Sequence, residues 1–363
     1  MAAPQRLESN CRMQGHVVPD DILGTLQETP FEPSRFHDLQ NKLENTGYLF
    51  FRGVIPENNI HQARREIFQR LHEVGEIKQP VEEGLFTGTS DRKARIPDLG
   101  SFWKSVSEGP ALRRVSHGNQ IQRVLDTVFS ETARAHDYLF LRPSVPGRST
   151  HLHYDHPFFA RGSQRIHTVW TALGDIPLME GPLVVMEGSN QFDDLIAMAQ
   201  GVDYDSKDTP LVQLMDDPAE LARQRGVRML TADFRAGDVL LFSMRLLHGT
   251  LDNQSPIGRT RLSCDVRWQP ASDPVDPRYS GPEPTGTTGI GYAELNGATP
   301  LNESWNQRKI VQLSNPDPAV QNFSVHCYTS DFPQWLPGDV KIFLRDWKSG
   351  LAYLSALRLV TPS

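Results

Sequence analysis

The sequence predicts a mainly β protein with flanking helices, closer to an all-β sandwich or barrel than to a parallel sheet. Three observations carry this. Short β-rich runs follow one another from Tyr138: YLFLR (138–142), IHTVWTAL (166–173), PLVVME (182–187), DVLLFS (238–243) and TRLSCDVRW (260–268). Turn residues separate them, as at Gly181-Pro182 and Gly237-Asp238. Finally, 27 Gly and 27 Pro in 363 residues favour many turns over long helices, while 38% apolar residues suffice for a sizeable core.

The elements can be justified in chain order. Residues 1–33 read as an irregular lead-in. Ser34 offers a cap for a short helix with Phe36, Leu39 and Leu43 on one face, closed by Gly47. Tyr48–Ile55 reads as a strand, and Pro56 opens a helix with Ile60, Ala63, Ile67, Leu71 and Val74 at helical spacing. Residues 78–104 read as loop, and Ile121, Val124, Leu125 and Val128 mark a further helix. The β-rich part has one long interruption, 190–236, with a helix expected near Asp217–Arg225. Beyond Trp268 comes a Pro/Gly/Thr-rich stretch to about 300, then an apolar run near Val340–Leu359.

Composition narrows the function classes. With 37 Lys+Arg against 44 Asp+Glu the net charge is −7, so no basic field is available for nucleic acid. No window approaches ~18 consecutive apolar residues, so no membrane-spanning helix is expected. Cys11, Cys264 and Cys327 are too few and too scattered for a disulfide framework or a thiolate zinc site. The N-terminus lacks the apolar run of a secretory signal and the C-terminus carries no peroxisomal address, so a cytoplasmic protein is expected.

Histidine is where chemistry concentrates. Four of the 12 histidines fall within residues 151–167, the densest piece being His151-Leu-His153-Tyr-Asp155-His156. Two imidazoles and a carboxylate on one face suit Fe(II) and leave the opposite face open. His153 and Asp155 supply two of these if the segment is a strand, because residues i and i+2 share a face. With 12 histidines and 44 acidic residues, about one or two His-x-acid pairs arise by chance. Alone, the pair also fits a solvated surface loop. His248 is an independent signal. It closes the apolar run Val239–Leu247 and is followed by Gly249; such an imidazole is either a core histidine or a rigidly held ligand. Eleven residues on, Arg259, Arg261, Ser263, Asp265 and Arg267 alternate with Thr260, Leu262, Cys264, Val266 and Trp268. That strand is either half-exposed with solvated charges, or it turns its arginines inward, where a guanidinium would clamp a dicarboxylate.

HYDHPFF, VWTAL (169–173), GPLVVMEGSN (181–190), AGDVLLFSMRLLHGT (236–250) and GRTRLSCDVRW (258–268) together resemble the phytanoyl-CoA dioxygenase family of Fe(II)/2-oxoglutarate oxygenases. The resemblance spans about residues 36–268. It implies a double-stranded β-helix (jelly roll, cupin-like) core. It makes His153, Asp155 and His248 the iron ligands, and Arg259 the residue that binds the distal carboxylate of 2-oxoglutarate. Ser263 and Trp170 then lie beside that cosubstrate. Many members have Gln inside His-x-Asp where this chain has Tyr154. Asp155 speaks against halogenation, because related halogenases lack this carboxylate.

The implied organisation is an N-terminal extension (1–35), the dioxygenase domain (36–268) and a C-terminal extension (269–363) that packs on the core. The implied reaction is hydroxylation of an unactivated C–H bond of a small molecule, consuming O2 and 2-oxoglutarate and releasing succinate and CO2. The alternatives are a cupin-like metal-dependent hydrolase or isomerase, or a non-catalytic ligand-binding jelly roll. Arg92, Lys93, Arg113 and Arg114 are candidates for a patch that takes the phosphates of coenzyme A. Loops 78–104 (Phe86, Phe102, Trp103) and 190–236 (Met215, Leu221) are candidate lids. Trp335, Phe343, Trp347 and Tyr353 give the C-terminal extension enough apolar surface to dock, with a monomer or homodimer as the assembly.

Overall fold

Two mainly antiparallel sheets face each other across an apolar layer, and the chain passes repeatedly from one to the other. The computed structural model describes residues 10–200, 202–203, 211–214, 217–293, 298–303, 310–313, 323–328 and 341–344. The larger sheet runs Tyr48–Phe51, Val239–Ser243, His167–Ala172, Arg261–Pro270 and Ala133–Ala135, with Phe140–Ser144 also paired to Arg261–Pro270. The smaller runs His248–Thr250, Leu183–Met186, Met229–Thr231 and Leu23–Thr25. This is the double-stranded β-helix. The backbone of Leu211–Leu214, Ile310–Leu313, Phe323–Tyr328 and Lys341–Leu344 forms a further sheet.

The near-continuous apolar runs follow from sheets covered on both faces. Leu240 and Phe242 point inward and pack with Phe50, Trp170, Leu183 and Val185 between the sheets. Their neighbours Val239 and Leu241 point outward, onto the helices, with Leu49, Phe51 and Val169. On the smaller sheet Val184 and Met186 face out against Leu195, Leu221 and the N-terminal residues Cys11 and Met13. A period of two thus splits each strand between two cores.

Most sequence-derived elements are found, with instructive differences. The first helix is Phe36–Thr46, preceded by a 3-10 turn at Pro33–Arg35; Ser34 sits in that turn, and the cap position is Arg35, without a side-chain cap. Gly47 closes the helix at φ 80°, and a Cβ there would lie 2.7 Å from Leu246 Cδ1. Glu57–Glu73 buries Ile60, Ala63, Ile67 and Leu71 as the spacing predicts. Asp217 caps Pro218–Arg225 through a bond from Ala219 N.

The expected loop 78–104 instead holds helices Arg92–Arg95 and Leu99–Ser107, the latter capped by Asp98. Phe102 and Trp103 are buried in the helical core. Arg92 is fully buried in an ion pair with Glu76 (2.6 Å) and so offers nothing to a solvent-facing phosphate. Arg113 is held by Glu108 and the Asp137 carbonyl, and Lys93 by Glu303.

The lead-in is also structured: Leu23–Thr25 adds a parallel strand to Met229–Thr231. At the other end, Tyr279 and Tyr292 lie in the helical core, and Leu301 N donates to the buried Glu76 carboxylate at 2.9 Å. Met215, Trp335, Trp347, Tyr353 and the Phe343 side chain lie outside the described residues. Among the described residues no helix is long and apolar enough to cross a membrane.

Candidate active site

His153 and His248 are brought together by backbone pairing. Each donates its N–H to the other's carbonyl, at 2.9 and 3.1 Å, so they stand directly opposite on adjacent antiparallel segments with ring centroids 4.3 Å apart. His248 does not end the Val239–Ser243 strand, as the apolar run suggests. The chain leaves that strand at Ser243 and turns, and His248 begins a new strand in the opposite sheet. Gly249 permits the close approach: a Cβ there would lie 2.6 Å from the Thr150 carbonyl.

Each imidazole is also oriented. Nδ1 of His153 lies 2.8 Å from the His151 carbonyl, and Nδ1 of His248 lies 2.9 Å from the Leu246 carbonyl. A carbonyl only accepts, so both Nδ1 atoms carry a proton, which leaves Nε2 as the atom of each ring that could bind a metal. Burial, and then the neighbouring His153, push His248 down to about 3, which keeps it neutral.

Asp155 reaches the same point by a different route from the one expected. It is not on a strand with His153. The backbone turns at Asp155 (φ −74°, ψ −22°) into the short helix His156–Phe158, which swings the carboxylate back over the imidazoles. Its Oδ1 lies 3.6 Å from His153 Nε2 and 3.8 Å from His248 Nε2. Burial alone would raise this acid, yet Arg267 and the two histidines hold it well below the usual carboxylate range. Among the described residues these three form the one cluster with metal-ligand spacing, their donor atoms all within 4.8 Å. Two imidazoles held through Nδ1, with Nε2 toward the cluster, and one carboxylate fit Fe(II). His151 contributes its carbonyl, and Tyr154 points away, its hydroxyl bonded to the Ser189 carbonyl at 3.0 Å.

The cavity beside the triad is lined by Trp170, Thr150, Leu183, Phe242 and the inward face of Arg261–Pro270. That strand is buried along its whole length, so the half-exposed alternative does not hold. Its charges are arranged unequally. Arg142 is neutralised by Asp265 (2.8 and 3.2 Å), and Arg267 by Asp155 and Asp265. Arg261 donates to the Ser263 hydroxyl at 2.7 Å and to the Arg142 carbonyl at 3.4 Å; among the described residues no carboxylate pairs with it and its Nε has no hydrogen-bond partner. Burial and then the nearby Arg142 lower its pKa to about 10.

Arg259, which the resemblance assigns to the distal carboxylate, does not line this cavity. It precedes the regular strand, and its Nη1 is committed to Glu180 at 2.9 Å. Arg261, two residues on, occupies the cavity wall with Ser263 and Trp170. Sequence reasoning missed Thr168, Arg142 and the pairing of Arg267 with Asp155. The i, i+2 alternation of charge on an otherwise apolar strand was the available signal for the last.

The human "Phytanoyl-CoA dioxygenase, peroxisomal" is 24% identical over 267 residues, covering 69% of this chain and 76% of that protein. A structure of EctD from S. alaskensis with 2-oxoglutarate and 5-hydroxyectoine is 15% identical, with 78% of this chain and 91% of that chain covered and a TM-score of 0.45. The epimerase SnoN in complex with Fe3+, alpha ketoglutarate and nogalamycin RO is 19% identical, with 67% and 86% covered and a TM-score of 0.42. Residues 43–261 match the profile of the phytanoyl-CoA dioxygenase (PhyH) family, and the chain belongs to that family.

Proposed function

We propose that the protein is an Fe(II)- and 2-oxoglutarate-dependent dioxygenase that hydroxylates an unactivated C–H bond of a small-molecule substrate. The single observation that carries the reading is that the His153–Asp155–His248 cluster shares its cavity with Arg261, a buried guanidinium with no direct ion pair among the described residues. A hydrolase or isomerase on this fold needs the ligands but not an acid-free arginine beside them.

Iron with 2-oxoglutarate supplies oxidising power from O2, with the cosubstrate released as succinate and CO2. This chain's residues supply placement. His153, Asp155 and His248 would hold the metal through Nε2, Oδ1 and Nε2, leaving the face toward the cavity open. Arg261 and Ser263 would clamp the distal carboxylate, a charge-assisted bond made stronger by the apolar wall of Trp170, Leu183 and Phe242. We assign this role to Arg261 in place of Arg259 because Glu180 already engages Arg259.

The test is 2-oxoglutarate consumption with Fe(II) across a panel of acyl thioesters, amino-acid derivatives, phosphonates and natural products. The expected result is stoichiometric succinate and a hydroxylated product, lost in Asp155→Ala. Product formation without succinate would overturn the reading.

A further inference from the structure

Asp155 is clamped by two side chains that are not part of the metal cluster. Its Oδ2 accepts from the Thr168 hydroxyl and from Arg267 Nη2 at 2.8 Å, and its Oδ1 accepts from the same nitrogen at 2.8 Å. Each carboxylate oxygen has about two lone-pair positions. Oδ2 is therefore saturated, whereas Oδ1 keeps one position, on the oxygen that faces both imidazoles. The clamp is itself fixed. Arg267 is 3% exposed, with its guanidinium carbon 4.7 Å from the Phe140 ring centroid and 4.4 Å from that of Phe159. Its Nη1 is paired to Asp265, which Arg142 grips from the other side.

We propose that Arg267 and Thr168 are positioning residues that restrict Asp155 to binding a metal through Oδ1 alone. The consequence lies in coordination number. A one-oxygen carboxylate with two imidazoles leaves about three positions of a six-coordinate ion open, which a two-point chelating cosubstrate and one further ligand can share. A carboxylate free to turn and bind through both oxygens would close one of these. A guanidinium and a hydroxyl that occupy Oδ2 prevent that turn. This inference rests on the metal-site reading above and deepens it.

The experiment uses the full-length protein with Mn(II) as the probe. Metal affinity is read from the free-ion magnetic resonance signal, bound water from water-proton relaxation, and 2-oxoglutarate affinity from calorimetry on the Mn(II)-loaded protein. Wild type and Thr168→Ser are expected to hold about three exchangeable waters. Thr168→Val and Arg267→Lys are expected to lose one water and to bind 2-oxoglutarate about tenfold more weakly, in the range seen when outer partners of metal ligands are removed. Thr168→Val preserves shape, so it decides the matter if Arg267→Lys does not fold. Unchanged hydration and unchanged 2-oxoglutarate affinity in Thr168→Val would overturn the proposal, even with a lowered melting temperature. A wild type that binds no Mn(II) would instead overturn the metal-site reading, and this inference with it.

Discussion

Arg261 and Arg259 illustrate how two residues of the same type, two positions apart, acquire different fates. Both belong to one alternating series, so periodicity places them on one face of the strand and cannot separate them. What separates them is a partner 79 residues away from Arg259 in sequence: Glu180, which engages Arg259, whereas Arg261 bonds only the Ser263 hydroxyl and the Arg142 carbonyl among the described residues. Substitution of Arg261 by Gln is expected to raise the 2-oxoglutarate requirement at least about tenfold, since a charge-assisted bond contributes roughly 1.5–3 kcal/mol. Arg259→Gln is expected to shift it by less than about threefold. Steady-state measurement of the 2-oxoglutarate KM in both variants checks this, and the reverse order would reinstate Arg259. The His-x-Asp pair itself was legible because its chemistry is local. The turn that aims Asp155 was not, since it depends on the Met244 carbonyl that receives His156 N.

At the scale of elements, the longer strands were legible and the short strands and connections were not. The longer core strands show as apolar or alternating runs because both of their faces are covered, whereas the three-residue strands Leu23–Thr25, Ala133–Ala135, Met229–Thr231 and His248–Thr250 are too short to show a period. The passage from Ser243 to His248 was hidden because Leu246 and Leu247 are apolar for another reason: they pack in two different clusters while the chain changes sheet. The segment 78–104 was misread because glycines and charges looked like loop, while Asp98 was acting as a helix cap and Arg92 as a buried partner of Glu76. Its aromatic residues belong to the core and not to a mobile cover. Trp103→Ala is therefore expected to cost about 3–5 kcal/mol of stability and to leave the 2-oxoglutarate KM of the folded enzyme unchanged. Chemical denaturation paired with kinetics below the transition would show it. A changed KM with intact stability would restore the lid.

For the whole molecule, the segment after residue 270 is part of the folded body as far as it is described. Tyr279 stacks on His136 at 5.5 Å and Tyr292 on Tyr138 at 4.5 Å, and Tyr279 also donates to the Phe158 carbonyl beside the metal-site turn. This packing seals His136, and burial lowers its pKa to about 4 against an ordinary 6.5. The unfolded chain then binds a proton that the folded one refuses between those values. Stability is expected to be full above pH 6.5 and to fall by about 1.4 kcal/mol per pH unit from this group as pH drops toward 4. Urea titrations at pH 7 and 4.5, with His136→Gln as the control that flattens the slope, measure it; an equal slope in the variant would assign the loss elsewhere.

The central claim is that one cavity binds a metal and a dicarboxylate together. It is tested most directly by anaerobic calorimetry of 2-oxoglutarate binding, with and without Mn(II), in wild type, His248→Ala and Arg261→Gln. Binding is expected to require the metal, to disappear in His248→Ala and to weaken about tenfold or more in Arg261→Gln. Equal 2-oxoglutarate affinity in the metal-free protein, or in either variant, would contradict it.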